Sequence, residues 1–556
     1  MNNKKCTKFL NIIYWIVLCI LCVMMLFWIN QKEGFHEDEM FSYGSSNYSQ
    51  DNVFQPYGTK DYITITIENE ILNSKSPIKS FKHYIFHPNE FMNRLYEEEK
   101  SEQPIWKTSD EARKYLTIQK EDIFNFVRVY INQSRDAHPP LFYFFVHIIS
   151  IFFYNKFSKY IIFIINILFF VGSCISLKKI MEKLEKSYLS IPILILYGCS
   201  IGAISTVIFQ RMYMMLTFWV LEYTYMIVLY IKNDFNIDVA FKRKLKIIIV
   251  LGFLTQYYFC VYIISIFIFV EILIYKRKGI NNCIAFFKLH ISAALIGIVI
   301  YPASIYHIFF SYRGIPAISN NFGILEFFKL ICKSFSFNLA IGFILLVFIA
   351  VITLYISSDK KRMNIDTILM PSVFLYVLIV SKISPYLDMR YIMCILPIIA
   401  ILIWVSIDDI ISRLRKKCII IIALTLFSTF FATRSIFINE PLYLYTGYSK
   451  NIEIARNNSN LSYIYIEDNG YNHIQSMPEF MIYNKSLILN INKNELEFIK
   501  DNVEIKQEKS FIVSIKNYLD VESIVNEIMK MTESNSYEIL LDGKNQTQNV
   551  IYIFYK

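Results

Sequence analysis

Apolar residues in this chain fall in long unbroken runs separated by short clusters of lysine and arginine. A helix that crosses a bilayer needs about 20 mostly apolar residues, because each adds about 1.5 Å against a hydrocarbon core about 30 Å thick. Such runs occupy 9–29, 160–177, 188–208, 213–231, 246–257, 259–275, 287–304, 338–356, 367–383, 391–407 and 418–437, which predicts about eleven transmembrane helices. The first run follows Lys4, Lys5 and Lys8 as a signal peptide would, but it is long and lacks a small-residue cleavage site. It therefore reads as a retained anchor.

The basic clusters set the orientation. With the N-terminus inside, Lys178-Lys179-Lys183-Lys186, Lys242-Arg243-Lys244-Lys246, Lys276-Arg277-Lys278, Lys360-Lys361-Arg362 and Arg413-Arg415-Lys416-Lys417 all fall in inner loops. That distribution obeys the positive-inside rule throughout. The apolar stretch 140–154 would invert every later loop if it crossed, so it is expected to lie against the outer face as a juxtamembrane helix. Two polar regions then lie outside, 31–139 and about 438–556. The second alternates strand-like runs (463–466, 511–513, 551–554) with amphipathic stretches such as 520–532, which predicts a small extracytoplasmic α/β domain. The expected division is 1–437 for the transmembrane part and 438–556 for that domain.

Composition narrows the class. The 556 residues are 55% hydrophobic, 17% aromatic and only 18% charged, with a mean hydropathy of +0.38. A soluble domain carries about 25% charged residues. A soluble enzyme, a disordered chain and a disulfide-stapled secreted domain are thereby excluded, and the lipid bilayer is the first partner. A net charge of +10 would suit a nucleic-acid binder, but the cations sit between apolar runs, where they meet anionic lipid instead. Neither polar region holds any of the ten cysteines, so no disulfide framework or cysteine-rich metal site is expected. The abundance of Ile, Asn, Lys, Phe and Tyr points to an AT-rich bacterial genome.

Three groups of residues carry candidate chemistry. Glu37-Asp38-Glu39 follows directly on the first run, and carboxylates so close to hydrocarbon are costly unless paired or used. Neighbouring helical positions point about 100° apart, so one of Asp38 and Glu39 can serve as a base while the other holds structure. The competing reading is that these acids simply favour the positive end of the following helix. Asp136-Ala137-His138-Pro139-Pro140 closes the first outer loop, where the proline pair would start a helix and pin Asp136 and His138 at the surface. The competing reading is a plain helix entry with incidental polar residues, which for a lone His is usually the better one. Finally, Arg211, Arg313, Lys382 and Arg390 break the inside bias and lie outside. An anionic ligand would account for them, snorkelling is the alternative, and Asp388 is a rival ion-pair partner for Arg390. Glu222, deep in a run, is expected to be a buried group hydrogen-bonded by Tyr223 or Tyr225. No nucleotide, dinucleotide or zinc-protease motif is present in a suitable context.

Several segments together resemble a known class. "HEDEMFSYGSSN" resembles the Asp-Glu motif of the GT-C class of membrane glycosyltransferases, which includes protein O-mannosyltransferases and the aminoarabinose transferase. "NQSRDAHPPLFYFFVH" is similar to the Asp-x-His-Pro-Pro segment of many bacterial members, and "QRMYMMLTFW" to an Arg-x-Tyr segment (Arg211, Tyr213). "TQYYF" is similar to a Thr-His-Tyr-Tyr stretch (Tyr257, Tyr258, with Gln256 in the His place), and "DMRYIMCILP" to a late Arg-Tyr segment (Arg390, Tyr391). The resemblance covers roughly residues 8–410, by the order and spacing of short motifs, and the Trp-Trp-Asp signature of oligosaccharyltransferases is absent.

The resemblance implies a GT-C-like fold, an outward-facing site, a polyprenyl-phosphate sugar donor, usually inversion at the anomeric carbon, and Asp38 acting on the acceptor. That acceptor would be a glycolipid, a protein or a wall polymer at a bacterial cell membrane. No cofactor is certain, although an oxygen-rich set of Glu39, Asp136 and His138 would suit Mg²⁺ or Mn²⁺. A multi-span transporter or lipid flippase is the alternative, and a non-catalytic cell-envelope assembly protein is a third reading.

Overall fold

A computed structural model describes residues 3–48, 54–57, 73–87, 103–309, 322–358, 366–411, 421–426, 428–430, 436, 439–543 and 549–556. The chain packs as two compact units, one of Met1–Ile29, Ala137–Phe142 and Ile162–Leu442, the other of Asn30–Asp136, Tyr143–Ile161 and Tyr443–Lys556.

The first unit is helical and apolar outside as well as inside. Its first helix, α1 (Asn3–Gln31), buries Tyr14, Leu18, Leu21, Met25 and Ile29 at helical spacing. The opposite face leaves Phe9, Ile12, Ile16, Ile20, Val23 and Phe27 more than half exposed. Helices Tyr258–Lys278 and Ile280–Ile300 carry similar stripes, among them Ile264, Ile268, Ile272, Phe287, Ile291, Leu295 and Val299. Such surface would cost about 25 cal/mol per Å² in water and nothing in lipid. This is an integral membrane protein. Helix Tyr213–Lys232 is buried on most of its faces, with Met214, Leu216, Val220, Tyr223, Ile227 and Tyr230 all out of contact with the surface.

Among the described residues five helices are long and apolar enough to cross a membrane alone, and two bent pairs raise the number to seven. The pairs are Ser187–Gly198 with Ile201–Ile208, bent by 67°, and Ile324–Ser334 with Leu339–Val351, bent by 102°. The expected single run 188–208 is thus broken, with Ser200 capping its second half by accepting from Ala203 N at 3.1 Å. Shorter helices Val239–Thr255, Asp366–Ile383 and Leu396–Ile411 lie on three further runs. Half of the run 418–437 falls outside the described residues, as do Arg313 and the clusters Lys360–Arg362 and Arg413–Lys417. Glu222 is hydrogen-bonded as expected, but its partners are Ser176 (2.6 Å) and Lys244 (3.5 Å); Tyr223 pairs with His290 instead, at 3.0 Å.

The second unit joins both polar regions. Helix α2 (Glu37–Asn47) opens on a capping box, in which His36 Nδ1 accepts from Asp38 N at 3.0 Å and Glu39 Oε2 from His36 N at 2.7 Å. The box satisfies the first orphan donors of the helix. Gly44 lets Tyr115 lie against α2, since a Cβ there would stand 2.2 Å from the phenol ring. The apolar stretch 140–154 forms helix Leu141–Phe152, too short at twelve residues to cross alone. His147 Nδ1 donates to Ser46 O at 2.7 Å, and Asn47 donates to the Ser150 hydroxyl at 3.2 Å, which ties that helix to α2.

The expected α/β fold is present, as a six-stranded sheet of order β1-β3-β2-β4-β6-β5: β1 Lys107–Thr108, β2 Tyr463–Glu467, β3 Lys485–Asn490, β4 Ser510–Lys516, β5 Ser536–Leu541 and β6 Asn549–Tyr555. Strands β3, β2 and β4 run parallel; β1, β6 and β5 are antiparallel additions. Ile499, Ile505, Ile524 and Ile528 cover one face with Ile464, Leu487 and Val513, and Phe480 and Tyr483 cover the other against Tyr463. The first polar region therefore folds with the C-terminal one: β1 pairs with β3 through Lys107↔Ser486 and Thr108↔Lys485. A two-residue strand carries no readable period, so the sequence offers no sign of this pairing.

Candidate functional site

Helices Tyr213–Lys232, Val239–Thr255, Tyr258–Lys278 and Ile280–Ile300 pack against one another in chain order, so the connections between them alternate between the two ends of the helical unit. Breaks at 209–212, 256–257 and 301–302 thus share one end, and the contacts of Arg390 with Phe209 and of Tyr391 with Tyr258 bring 384–395 to it. The basic clusters at 178–186, 242–246 and 276–278 lie at the opposite end. The motif residues of this unit gather at the first of these ends.

Asn166, fully buried, donates to the carbonyls of Val207 (3.0 Å) and Phe209 (2.8 Å) and so holds the break that presents Arg211. Arg211 is only 2% exposed, and its guanidinium lies 3.3 Å from His138 Nε2. Tyr301 donates to the His138 carbonyl at 3.5 Å, and its ring lies 5.8 Å from that of His307. The Tyr257 hydroxyl bonds His307 Nδ1 at 2.9 Å. Gln256, in the place where the resemblance expects His, turns its oxygen onto Tyr257 N at 2.7 Å and so caps the break itself.

Arg390 pairs with Asp388 at 2.9 Å, the rival partner named by the sequence. The same guanidinium lies 5.9 Å from the ring centres of Phe209 and Tyr391. Tyr213 stacks on Phe209 at 5.7 Å, and Tyr258 meets Tyr391 at 5.0 Å. Tyr376 donates to the Tyr391 carbonyl at 2.7 Å and fixes that turn. Arg211 and His138 are thus joined through Tyr301 and His307 to Tyr257, and Arg390 is joined through Phe209 and Tyr391 to Tyr213 and Tyr258. Lys382 lies exposed in the last turn of its helix. Two guanidiniums among phenol rings, at the end of an apolar bundle, can bind an anion: charge-assisted bonds strengthen where water is sparse. In the same unit, Ile324, Phe328, Phe343, Phe374 and Leu402 help line an apolar cavity of about 220 Å³.

In the second unit the two acids of the motif have different surroundings. Glu39 is fully buried against Lys32 at 2.9 Å. The Lys32 ammonium also donates to the Tyr443 carbonyl and lies 5.4 Å from the Phe35 ring centre. Burial lowers the Lys32 pKa, and Glu39 opposes that shift. Asp38 is partly exposed, with an oxygen 3.7 Å from His36 Nδ1. Asp136 caps helix Phe126–Arg135, its N–H bonded to Gln133 O at 3.0 Å. Among the described residues no group of three His, Cys, Asp or Glu side chains could hold a metal ion.

Sequence reasoning missed Lys32 and Asn166. Lys32 stands one residue past the first helix, and the argument from outer cations applied to it as well as to Arg211. Asn166 carried no such signal, since an asparagine in an apolar run reads only as a tolerated polar residue.

No family model and no curated protein matches the chain. Solved structures similar to it include two crystal structures of ArnT from Cupriavidus metallidurans, one bound to undecaprenyl phosphate and one in the apo state. Identity is 10% in both; the alignments cover 75% of this chain and 88% and 87% of those chains, with TM-scores of 0.45 and 0.44.

Proposed function

We propose that this chain is a membrane glycosyltransferase that moves a sugar from a polyprenyl-phosphate donor to an acceptor hydroxyl on the extracytoplasmic face of a bacterial membrane, with inversion. One observation supports the reading: Arg390, set among Phe209, Tyr213, Tyr258 and Tyr391, and Arg211, held against His138, lie at the end of the bundle opposite the basic loops. The positive-inside rule places that end outside.

The acceptor oxygen attacks the anomeric carbon while Asp38 takes its proton, and the bond from that carbon to the phosphate oxygen breaks. Charge grows on the departing polyprenyl phosphate, where Arg390 and Arg211 neutralise it. Placed cations of this kind commonly supply the larger electrostatic contribution; a general base adds about 10²–10⁴ in rate. Tyr257, Tyr258 and Tyr391 orient the head group, and the apolar cavity suits a prenyl tail. Glu39 positions Asp38 through the first turn of α2, and Lys382 and Asp136 contribute to substrate binding.

A transporter or flippase draws support from the two bent helix pairs. Purified protein incubated with polyprenyl-phosphate sugars and a cell-envelope acceptor fraction separates the readings. Release of polyprenyl phosphate, lost in Arg390→Ala, supports transfer; translocation of the intact lipid without release overturns it.

A further inference from the structure

The α/β sheet of the second unit has a topological switch point. From β2 the chain passes to β3 on one side, then crosses to β4 on the other, with connecting helices on opposite faces. Open parallel sheets bind ligands outside the carboxyl ends of the strands at such a point. Here those ends are Glu467 of β2 and Lys516 of β4, level with one another because Ile466 pairs with Ile515.

The side chains at this edge are unusual for a structural corner. Asp468 Oδ1 accepts from Tyr518 OH (2.7 Å) and from Asn472 Nδ2 (3.2 Å), while Asn472 also donates to the Tyr518 oxygen (2.5 Å). Tyr518 and Tyr471 are 59% and 55% exposed, so two phenol rings stand open to solvent beside a polar triad. The Lys516 ammonium lies 5.9 Å from the Tyr465 ring centre and makes no hydrogen bond or ion pair among the described residues. It sits in the field of Glu479, Glu467, Glu37 and Asp468. Glu467 and Glu479 are already engaged by His473 and by Tyr448 and Tyr463. Exposed aromatic faces next to a carboxylate, an amide and an unpartnered ammonium match a ligand with apolar ring faces and many hydroxyls. Tyr471 also meets Phe41 of α2 at 6.4 Å, so the crevice adjoins the helix that carries Asp38.

We propose that this crevice, walled by Tyr471, Asn472, Asp468, Tyr518 and Lys516, is a saccharide-binding subsite that delivers a sugar-bearing acceptor to α2. That the bound saccharide is the acceptor rests on the proposed function; that the crevice binds saccharide does not.

The full-length protein in detergent is applied to immobilised linear oligosaccharides of glucose, mannose and N-acetylglucosamine, alongside Tyr471→Ala, Tyr518→Ala, Lys516→Met and Tyr537→Ala, the last an exposed tyrosine on β5. At least one oligosaccharide should be retained, about tenfold more weakly by the first three variants and equally by Tyr537→Ala. No retention by the wild type, or equal retention by all variants, overturns the subsite. Since no donor is present, this result is independent of sugar transfer. If transfer is confirmed, the same variants should raise the KM for acceptor with donor KM unchanged; a rise in both overturns the acceptor assignment.

Discussion

Lys32 Nζ stands 2.9 Å from Glu39 Oε2 with both side chains fully buried, one just beyond α1 and the other in the first turn of α2. Breaking such a pair leaves a buried charge uncompensated, at about 3–5 kcal/mol. Lys32→Met and Glu39→Gln should each lower the unfolding midpoint of the purified protein, and the Lys32→Met/Glu39→Leu double variant should recover much of the loss. Glu39→Gln should keep most turnover per folded molecule; a loss as deep as that of Asp38→Asn would give Glu39 a direct chemical role.

Asp38, partly exposed beside His36, is expected to behave otherwise. Asp38→Asn should lower sugar transfer by about 10²–10⁴ with membrane insertion and unfolding midpoint unchanged. Substantial retained turnover removes Asp38 from the role of base.

The two guanidiniums should act on the donor. Arg390→Ala frees Asp388 as well as deleting the cation, so Arg390→Lys is the sharper variant. It keeps the charge but loses the planar fork that spans two acceptors. Donor KM should rise in both, more in Arg390→Ala. Arg211→Ala should act similarly and also release His138. Unchanged donor kinetics in all three would remove the anion-binding role.

Asn166→Ala deletes two donors to the carbonyls of Val207 and Phe209. Leaving those groups unsatisfied costs about 1–3 kcal/mol, relieved by local loosening of the 209–212 break. Donor KM should rise although the altered residue reaches no substrate, and Asn166→Gln should not restore it. Wild-type kinetics in Asn166→Ala would show that the break holds Arg211 without it.

Glu479 is buried against Tyr448, Tyr463 and Asn451, and burial raises its pKa above the usual carboxylate value despite those hydrogen bonds. A carboxyl with a raised folded pKa binds protons better folded than unfolded, so its contribution falls as pH rises from about 4.5 through the raised value. The difference in unfolding midpoint between wild type and Glu479→Gln should therefore grow between pH 4.5 and 7.5, in favour of the variant. A pH-independent difference would refute this linkage.

The helices were legible because lipid imposes one rule on every crossing residue. Runs such as 160–177 and 259–275 announce themselves by composition, and their ends need only a cation or a turn. The strands β2, β4 and β6 were legible as apolar runs too short to cross. The site was legible in part. Arg211 and Arg390 stand out because they lie apart from the basic clusters that the positive-inside rule gathers, whereas Asn166 breaks no such pattern. Glu222 was recognised as a buried polar group but given the wrong partners, since a helical neighbour one residue away points elsewhere and Ser176 lies on another helix.

Chain order and local chemistry thus suffice for the membrane class, the two polar regions and the residues worth testing. Folding in three dimensions assigned the rest. It bent the 188–208 run, drew Lys107 and Thr108 into the C-terminal sheet, committed Glu39 to Lys32, and gathered Tyr213, Tyr258 and Tyr391 around Arg390. Burial and periodicity act over a few residues and are written along the chain. Pairing is a contest among distant groups, and its winner depends on which surfaces close packing brings within 3 to 6 Å.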